Sequence, residues 1–151
     1  MTDAVYDSDD FRPAARYLCS PPLRSEVDQA ALWVALRNGG LEGVHSDHIP
    51  YNMADREPCG IDDFRAIPNG IGDIEHVRPI LWSEGVRAGR LLPEPFVALT
   101  ATLPARRFGL VRNGRIAPRC DADLVLWDPD RRWTVSARTC IPAPTTSSTR
   151  G

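Results

Sequence analysis

The chain has 151 residues, of which 42% are hydrophobic and 25% are charged, close to the average of globular proteins. This size fits about one domain, and the composition argues against a wholly disordered, collagen-like or disulfide-scaffold protein. Eighteen basic residues against twenty acidic residues give a net charge of −2, which supplies no excess positive field for nucleic acid or anionic lipid. We therefore expect neither a nucleic-acid partner nor a membrane partner.

The start of the chain and its cysteines bear on the compartment. The first residues lack the basic and apolar regions of a signal peptide, and no apolar run is long enough to span a bilayer. The four cysteines are scattered without a Cys-x-x-Cys pair, which argues against a zinc knuckle and favours free thiols. We expect a cytoplasmic protein.

A strand, a helix and a second strand are predicted in the first third of the chain. Residues 15–20 are a short, partly apolar run that two prolines stop. Ser25 and Asp28 form a capping box for a helix with apolar residues at helical spacing, which ends before residues 38–40. Residues 41–46 are the second predicted strand. This order predicts a parallel βαβ unit.

Loops and broken helices are predicted in the middle of the chain. Residues 50–73 show no period and carry several prolines and glycines, so we expect a long loop. Asp73 is predicted to cap the next helix, which Pro79 kinks or breaks. Pro95 suits the first position of a further helix, and Pro104 marks its end.

The last part of the chain has the pattern of β structure. Residues 123–127 and 132–135 flank a turn, which predicts a hairpin. Trp127 and Trp133 are expected to pack in the core or across strands rather than to line a ligand site. Residues 140–151 are low in complexity and predict a disordered tail.

Polar residues just past predicted strands are the candidate reactive groups, because an α/β barrel carries its reactive groups at the carboxyl ends of its strands. Ser20 and Asp47 meet this condition, although an Asp at such a place is also a common turn former or cap. His45 and His48 flank Asp47, but alternation along a strand disfavours one shared metal ion. Residues 68–70 (Pro-Asn-Gly) predict a turn. These patterns alone indicate no activity.

An ordered set of short motifs runs through most of the chain, over roughly residues 5–139. They are Tyr17-Leu-Cys-Ser-Pro-Pro-Leu-Arg24, Ala31-Leu-Trp33, Ser46-Asp-His-Ile-Pro50, Asp62-Asp-Phe64, Ile67-Pro-Asn-Gly70, Glu84-Gly-Val-Arg-Ala-Gly89, Pro104-Ala105, Phe108-Gly-Leu110 and Asp121-Ala-Asp-Leu-Val-Leu-Trp-Asp-Pro129. In this order the motifs resemble the C-terminal part of dihydropyrimidinases and hydantoinases, the cyclic-amide hydrolases of the amidohydrolase superfamily. Several motifs in the right order are far more specific than any single one.

The resemblance implies a composite α/β fold. Residues 1–110 would supply the C-terminal strands and helices of a metal-dependent hydrolase (β/α)8 barrel, and residues 111–139 part of a β-sandwich. A complete barrel typically takes ~250 residues, so the chain would hold a minority of one. Because open barrel strands leave unpaired edges and a half-covered apolar face, we expect the isolated chain to be poorly folded or sticky.

The resemblance also implies site residues. In the family, the Asp of the strand-8 Thr-Asp-His motif binds the metal centre and handles the proton of the attacking hydroxide, which corresponds to Asp47. The Ser-Pro-Pro serine and the Pro-Asn-Gly asparagine contact the cyclic amide through backbone groups, which correspond to Ser20 and Asn69. A binuclear zinc centre is implied. Its other ligands, an HxH pair, a carboxylated lysine and two further histidines, have no counterpart in this lysine-free chain.

At two places the chain departs from the family pattern. Residues 73–77 (Asp-Ile-Glu-His-Val) stand where the family usually has Gly-Ile-Glu-Asp-Arg, and Arg119 replaces a usual glycine.

Two hypotheses follow for the function. The first is a hydrolase that opens dihydropyrimidine or hydantoin rings with metal-activated hydroxide, present here as a truncated C-terminal portion that is inactive alone. Its partners would be a small cyclic amide or ureide and either a complementing N-terminal segment or, in the full-length family, further copies of the same chain. The alternative is a non-catalytic scaffold or subunit-binding homologue, as in the collapsin-response mediator proteins.

Overall fold

The computed structural model describes residues 12–60, 63–132 and 134–135. Regular structure in these residues is helical: α1 (Arg12–Ala15), α2 (Glu26–Arg37), α3 (Met53–Arg56), α4 (Val77–Ile80), α5 (Pro93–Val97) and α6 (Leu103–Arg107), with 3-10 turns at Glu57–Gly60 and Phe64–Ala66 and π turns at Leu81–Arg87 and Ala98–Thr102. None of the described helices is long and apolar enough to cross a membrane. The predicted tail at residues 140–151 and Trp133 lie outside the described residues.

Two compact units make up the chain. The described part of the first unit comprises residues 12–24, 46–60 and 63–74. The second unit comprises residues 25–45 and, among the described residues, 75–132 with 134–135. The domain boundaries predicted at residues 110 and 139 stay predictions.

Helix α2 begins and ends where its sequence predicts. The Ser25 hydroxyl accepts the N–H of Asp28 at 3.2 Å, and the Asp28 carboxylate accepts the N–H of Ser25 at 3.2 Å. This reciprocal pair satisfies backbone donors that have no partner inside the helix. Asn38 is the C-cap, and Gly39 follows with a φ of +74°. The predicted capping box is confirmed.

The predicted strands are absent from the described residues. Residues 15–20, 41–46 and the described parts of 123–127 and 132–135 form no β-ladder, so the strand, βαβ and hairpin predictions are wrong for these segments. A strand exists only where its backbone groups pair with a neighbouring segment, and none of the described segments forms a ladder with these. The barrel and the sandwich therefore stay predictions. The turn before residue 132 is present, because the Asp128 carboxylate accepts the N–H groups at positions 130 and 131 at 3.0 and 3.2 Å.

Two of the proline predictions are corrected. Pro79 does not break its helix, because it is the third residue of α4, where a backbone N–H has no intrahelical partner. Pro104 does not end a helix either. A π turn precedes it, in which the N–H of Leu103 bonds to the carbonyl of Ala98, five residues back. The regular α-helical hydrogen-bond pattern is therefore already interrupted where Pro104 lacks a donor.

Other boundaries also differ from the expectation. The fourth helix follows His76, which makes no side-chain cap, so Asp73 does not cap it. Helix α5 begins at Pro93 rather than Pro95. The expected loop over residues 50–73 contains one short α-helix and two 3-10 turns, although no long element.

The second unit holds the hydrophobic core. Its buried members are Leu81, Leu91, Phe96 and Leu99. Trp82, Phe96 and Trp127 form an aromatic triad with ring centroids 5.0 to 5.5 Å apart, and this confirms the packing role predicted for Trp127. A Cβ at Gly85 would lie 3.1 Å from both Leu91 and Trp33, so the glycine of the Glu84-Gly-Val-Arg motif admits close packing of the core.

The described cysteines are free thiols, as their spacing predicts: Cys19, Cys59 and Cys120. Cys140 lies outside the described residues.

Candidate functional site

The three predicted site residues, Ser20, Asp47 and Asn69, all belong to the first unit. The side-chain amide of Asn69 donates a hydrogen bond of 2.7 Å to the hydroxyl of Ser20, and both residues are exposed. Within the described part of the chain, the backbone N–H and C=O of these two residues make no hydrogen bond. Their side chains are thus tied together, while no described residue bonds to their backbone groups.

The loop that carries Asn69 is fixed on both sides. The N–H of Gly70 donates to the carbonyl of Leu18 at 3.1 Å, which ties the loop to the segment that leads to Ser20. A Cβ at Gly70, whose φ is +155°, would lie 2.6 Å from the Cβ of Ile49. Only glycine permits this approach, as the pattern predicts for position 70, although no turn is assigned at residues 68–70.

A short parallel contact brings the Asp47 segment beside the Asn69 loop. His48 pairs with Ile71 in an isolated parallel bridge, and the N–H of Ile49 donates to the carbonyl of Ile71 at 3.2 Å. Asp47 and Gly70 come one residue earlier on the two sides of this bridge. The Asp47 segment therefore lies alongside the loop that carries Asn69.

Asp47 itself has a left-handed backbone, with a φ of +48°. This region is uncommon for residues other than glycine, although Asp and Asn adopt it more readily than most. Its side chain is exposed, and no hydrogen bond to it arises within the described ranges. Strained backbone of this kind concentrates at functional sites.

His48 organises the loop that follows the bridge. Its Nδ1 accepts the backbone N–H groups of Asp73 at 3.0 Å and Ile74 at 3.1 Å. A neutral ring with an accepting Nδ1 carries its proton on Nε2. The sequence pattern placed His48 beside the candidate acid but did not reveal this anchoring role, because the bonded residues are 25 and 26 positions away.

The described residues do not fit a complete metal centre. No three His, Cys, Asp or Glu side chains in residues 12–60, 63–132 and 134–135 lie close enough together to hold a metal ion. His48 commits its Nδ1 to the backbone, and His45 belongs to the second unit. A zinc site needs at least three protein ligands, so Asp47 alone does not make one.

Asp63 precedes the loop that carries Asn69 along the chain. Its carboxylate caps the 3-10 turn Phe64–Ala66 by accepting the N–H of Arg65 at 2.9 Å, and it pairs with the Arg65 guanidinium at 2.9 to 3.1 Å. The pKa of Asp63 lies below its ordinary value, chiefly because the Arg65 side chain donates to the carboxylate and secondarily because the Arg65 backbone N–H does so as well. The same pair raises the pKa of Arg65.

The second unit carries the other motifs. The carboxylates of Asp121 and Asp123 bind Arg112 and the side-chain amide of Asn113, so these aspartates hold a loop in place. Arg119, which stands where the family usually has glycine, has a φ of +70°. A glycine would adopt this conformation without strain.

Known proteins resemble the chain in both sequence and fold. It is 38% identical over 139 residues to a D-phenylhydantoinase of Escherichia coli O81 (strain ED1a), covering 91% of this chain and 30% of that protein. The solved structure of a D-hydantoinase from Bacillus sp. AR9 has 44% identity and a TM-score of 0.83, over 90% of this chain and 30% of the other. The D-hydantoinase (dihydropyrimidinase) from Thermus sp. has 43% identity and a TM-score of 0.80, over 85% and 28%.

The resemblance to hydantoinases and dihydropyrimidinases expected from the motifs is therefore confirmed over about nine-tenths of the chain. The chain spans about 30% of the length of the curated relatives it matches. No protein-family model matches the chain. The fold is that of a portion of the hydantoinase structures.

Proposed function

We propose that the chain is the substrate-contacting portion of a hydantoinase-type hydrolase, which opens the ring of a dihydropyrimidine or a hydantoin. The single observation that carries the proposal is the hydrogen bond between Ser20 and Asn69 in a chain whose relatives are hydantoinases. Two residues that the family resemblance assigns to the same substrate lie in contact although 49 positions separate them.

The chemistry of a cyclic ureide matches the groups that this pair leaves accessible. Such a ring alternates N–H donors and C=O acceptors along one edge. The backbones of Ser20 and Asn69 offer the same two group types, and the bond between their side chains fixes the spacing of these groups. A rigid arrangement of donors and acceptors lowers the entropic cost of orienting the ring.

Asp47 is the residue that we propose as catalytic and as a metal ligand. Asp47 lies one residue before the bridge between His48 and Ile71, on the segment beside the loop that carries Asn69. The zinc expected from the resemblance would need ligands from outside the described residues. We therefore expect the isolated chain to bind the ring and not to turn it over.

The finer architecture belongs to the same proposal. We propose that residues 1–110 complete a (β/α)8 barrel and residues 111–139 a β-sandwich when the remaining part of such an enzyme is present. The partner would be a polypeptide that supplies the other barrel strands and metal ligands, and assembly into a homo-oligomer would follow from it.

Hydrolysis and metal content test the catalytic half of the proposal. Dihydrouracil and hydantoin hydrolysis would be measured with the chain alone and with a separately produced polypeptide that covers the rest of a D-hydantoinase, zinc being supplied in both. We expect turnover only in the mixture, and its loss with Asp47→Ala. Assembly without turnover would instead support a non-catalytic scaffold.

Ligand titration tests the binding half. Dihydrouracil added to the ¹⁵N-labelled chain is expected to shift the backbone amides of Ser20 and Asn69, and Asp47→Ala, which removes no backbone group, is expected to leave this response in place. Absence of any response at millimolar ligand would refute the substrate-binding role.

A further inference from the structure

Arg56 is a buried cation whose contacts in the described residues include no carboxylate. Only 3% of its surface is exposed, although it lies at the end of a short helix in a loop-rich region. Its Nη1 donates to the carbonyl of Ala15 at 2.7 Å and to that of Arg16 at 3.2 Å. Its guanidinium lies 5.5 Å from the centre of the Tyr51 ring.

The burial of the Arg56 charge carries a free-energy cost. A buried charge destabilises a protein unless hydrogen bonds and other contacts compensate for the lost water. Among the described residues, two carbonyls and one aromatic face provide the compensation, and none of these residues bonds to Nε. A neutral side chain of similar size would avoid the cost of burying a charge, so the arginine points to a role in holding the two carbonyls.

The contacts of Arg56 join two of the three segments that carry the candidate site. Ala15 and Arg16 lead directly into the segment in which Leu18 accepts the N–H of Gly70 and Ser20 bonds to Asn69. Tyr51 follows three residues after His48, which pairs with Ile71. Arg56 thus holds the Ser20 segment on one side and the Asp47 segment on the other, and it bonds to neither Ser20 nor Asn69.

We propose that Arg56 is the positioning residue that sets the distance between Ser20 and Asn69. The proposal rests on the proposed function for the meaning of that pair, but not for the geometry itself. Arginine suits the task because one nitrogen, Nη1, donates to both carbonyls while the planar guanidinium faces the Tyr51 ring. Lysine keeps the charge and a donor nitrogen but lacks the flat face.

Three variants of the ¹⁵N-labelled 151-residue chain test this role. Arg56→Met keeps an apolar stem and removes the donors, and Arg56→Lys keeps the charge. Arg90→Met is a control for the loss of an arginine beside an aromatic ring, because Arg90 also lies 5.5 Å from a ring, that of Trp33, but is half-exposed, pairs with Glu84 and belongs to the second unit. The readouts are the side-chain amide resonance of Asn69 and the affinity for dihydrouracil.

In Arg56→Met we expect the Asn69 side-chain amide to move toward its free, water-exposed position and the dihydrouracil affinity to fall about tenfold. Arg56→Lys should restore part of both effects, and Arg90→Met should change neither. An Asn69 resonance unchanged in Arg56→Met would overturn the proposal. If Arg56→Met fails to fold, Arg56→Lys decides: an unchanged Asn69 resonance overturns the proposal, and a partial shift supports it.

The two proposals fail separately. If the unmodified chain does not bind dihydrouracil, the proposed function is refuted, while the Asn69 resonance still reports whether Arg56 sets the geometry. If the chain binds dihydrouracil and Arg56→Met binds equally well with an unmoved Asn69 signal, only the role of Arg56 is refuted.

Discussion

The side-chain amide of Asn69 donates a hydrogen bond of 2.7 Å to the hydroxyl of Ser20, and this bond links two segments that are 49 positions apart in the chain. The bond uses one amide hydrogen and one hydroxyl lone pair, so the Asn69 carbonyl oxygen and the Ser20 hydroxyl proton remain for further partners. Rigidity in this pair is therefore compatible with ligand binding.

Removing either partner of this bond should loosen the first unit. We expect Ser20→Ala and Asn69→Ala each to lower its opening free energy by about 0.5–1.5 kcal/mol, near the lower end because both residues are exposed. The double variant should cost little more than either single variant, since the two changes remove the same contact. Hydrogen exchange of the Gly70 amide, which bonds to Leu18, measures the opening. Fully additive losses would contradict the coupling.

Gly70→Ala should disrupt the loop that carries Asn69. The added Cβ meets Ile49 at 2.6 Å, and overpacking of this kind typically costs about 1–3 kcal/mol on top of the backbone strain. Gly39→Ala is the control, because Gly39 also has a positive φ but has open space around its Cβ position. Urea denaturation followed by amide signals of each unit should show the larger loss for Gly70→Ala. Equal losses would mean that strain alone, rather than the contact with Ile49, explains the glycine.

Arg119→Gly should stabilise the second unit. A left-handed conformation costs a non-glycine residue roughly 1–2 kcal/mol, and the greater freedom of glycine in the unfolded chain cancels part of the gain. We expect a net gain of about 0.5–1 kcal/mol in tryptophan-monitored urea unfolding. Arg131→Gly, at an exposed position outside the left-handed region, should be neutral or destabilising. A loss of stability in Arg119→Gly would show that the arginine side chain makes a compensating contribution.

The Asp63 and Arg65 pair should give a defined dependence on pH. Because the folded state lowers the pKa of Asp63 from 3.8, its carboxylate favours folding at pH values above 3.8, and this contribution is lost as the pH falls through the lowered pKa. Arg65→Ala should return the pKa toward 3.8. A carboxyl-detected NMR titration measures the change, and added salt should reduce it because the pair is exposed. An unchanged pKa in Arg65→Ala would contradict the assigned cause.

Exposed apolar side chains of the second unit should make the isolated chain self-associate. Leu126 is fully exposed, and Val111 and Ile116 are nearly so. Leu126→Gln is expected to reduce light scattering and dye binding without loss of stability. Leu99→Ala, by contrast, should cost about 2–5 kcal/mol, because it empties a buried core position. A monomeric chain with no dye binding would contradict the predicted stickiness.

Two local signals in the sequence were confirmed, whereas the cap predicted at Asp73 and the helix start predicted at Pro95 were wrong. The capping box of α2 depends on Ser25 and Asp28, which are three residues apart, and the backbone at Gly70 depends on the one residue type that permits it. Strand predictions failed because an apolar run such as 123–127 becomes a strand only through a partner, and the pattern of one segment carries no information about its partner.

The place after predicted strands indicated Ser20 and Asp47 as candidate reactive groups, but only the family motifs connected Asn69 with them. Spacing alone left Asn69 as a turn residue and Ser20 as a strand end, since nothing local connects positions 49 residues apart. Arg56 left no signal at all, because an arginine in a loop looks the same in sequence whether it is solvated or buried. Long-range contacts and burial are properties of the assembled chain.

The interleaved order of the two units has a consequence for synthesis on the ribosome. Residues 25–45 belong to the second unit, but they leave the exit tunnel between residues 24 and 46, which both belong to the first unit. Helix α2, with its own cap, can form as soon as it emerges, whereas Ser20 must wait until Asn69 has been translated before it meets its partner. The nascent chain therefore carries the unfinished first unit through the whole of that interval, and a pause in translation before codon 70 would prolong its exposure to proteases and chaperones.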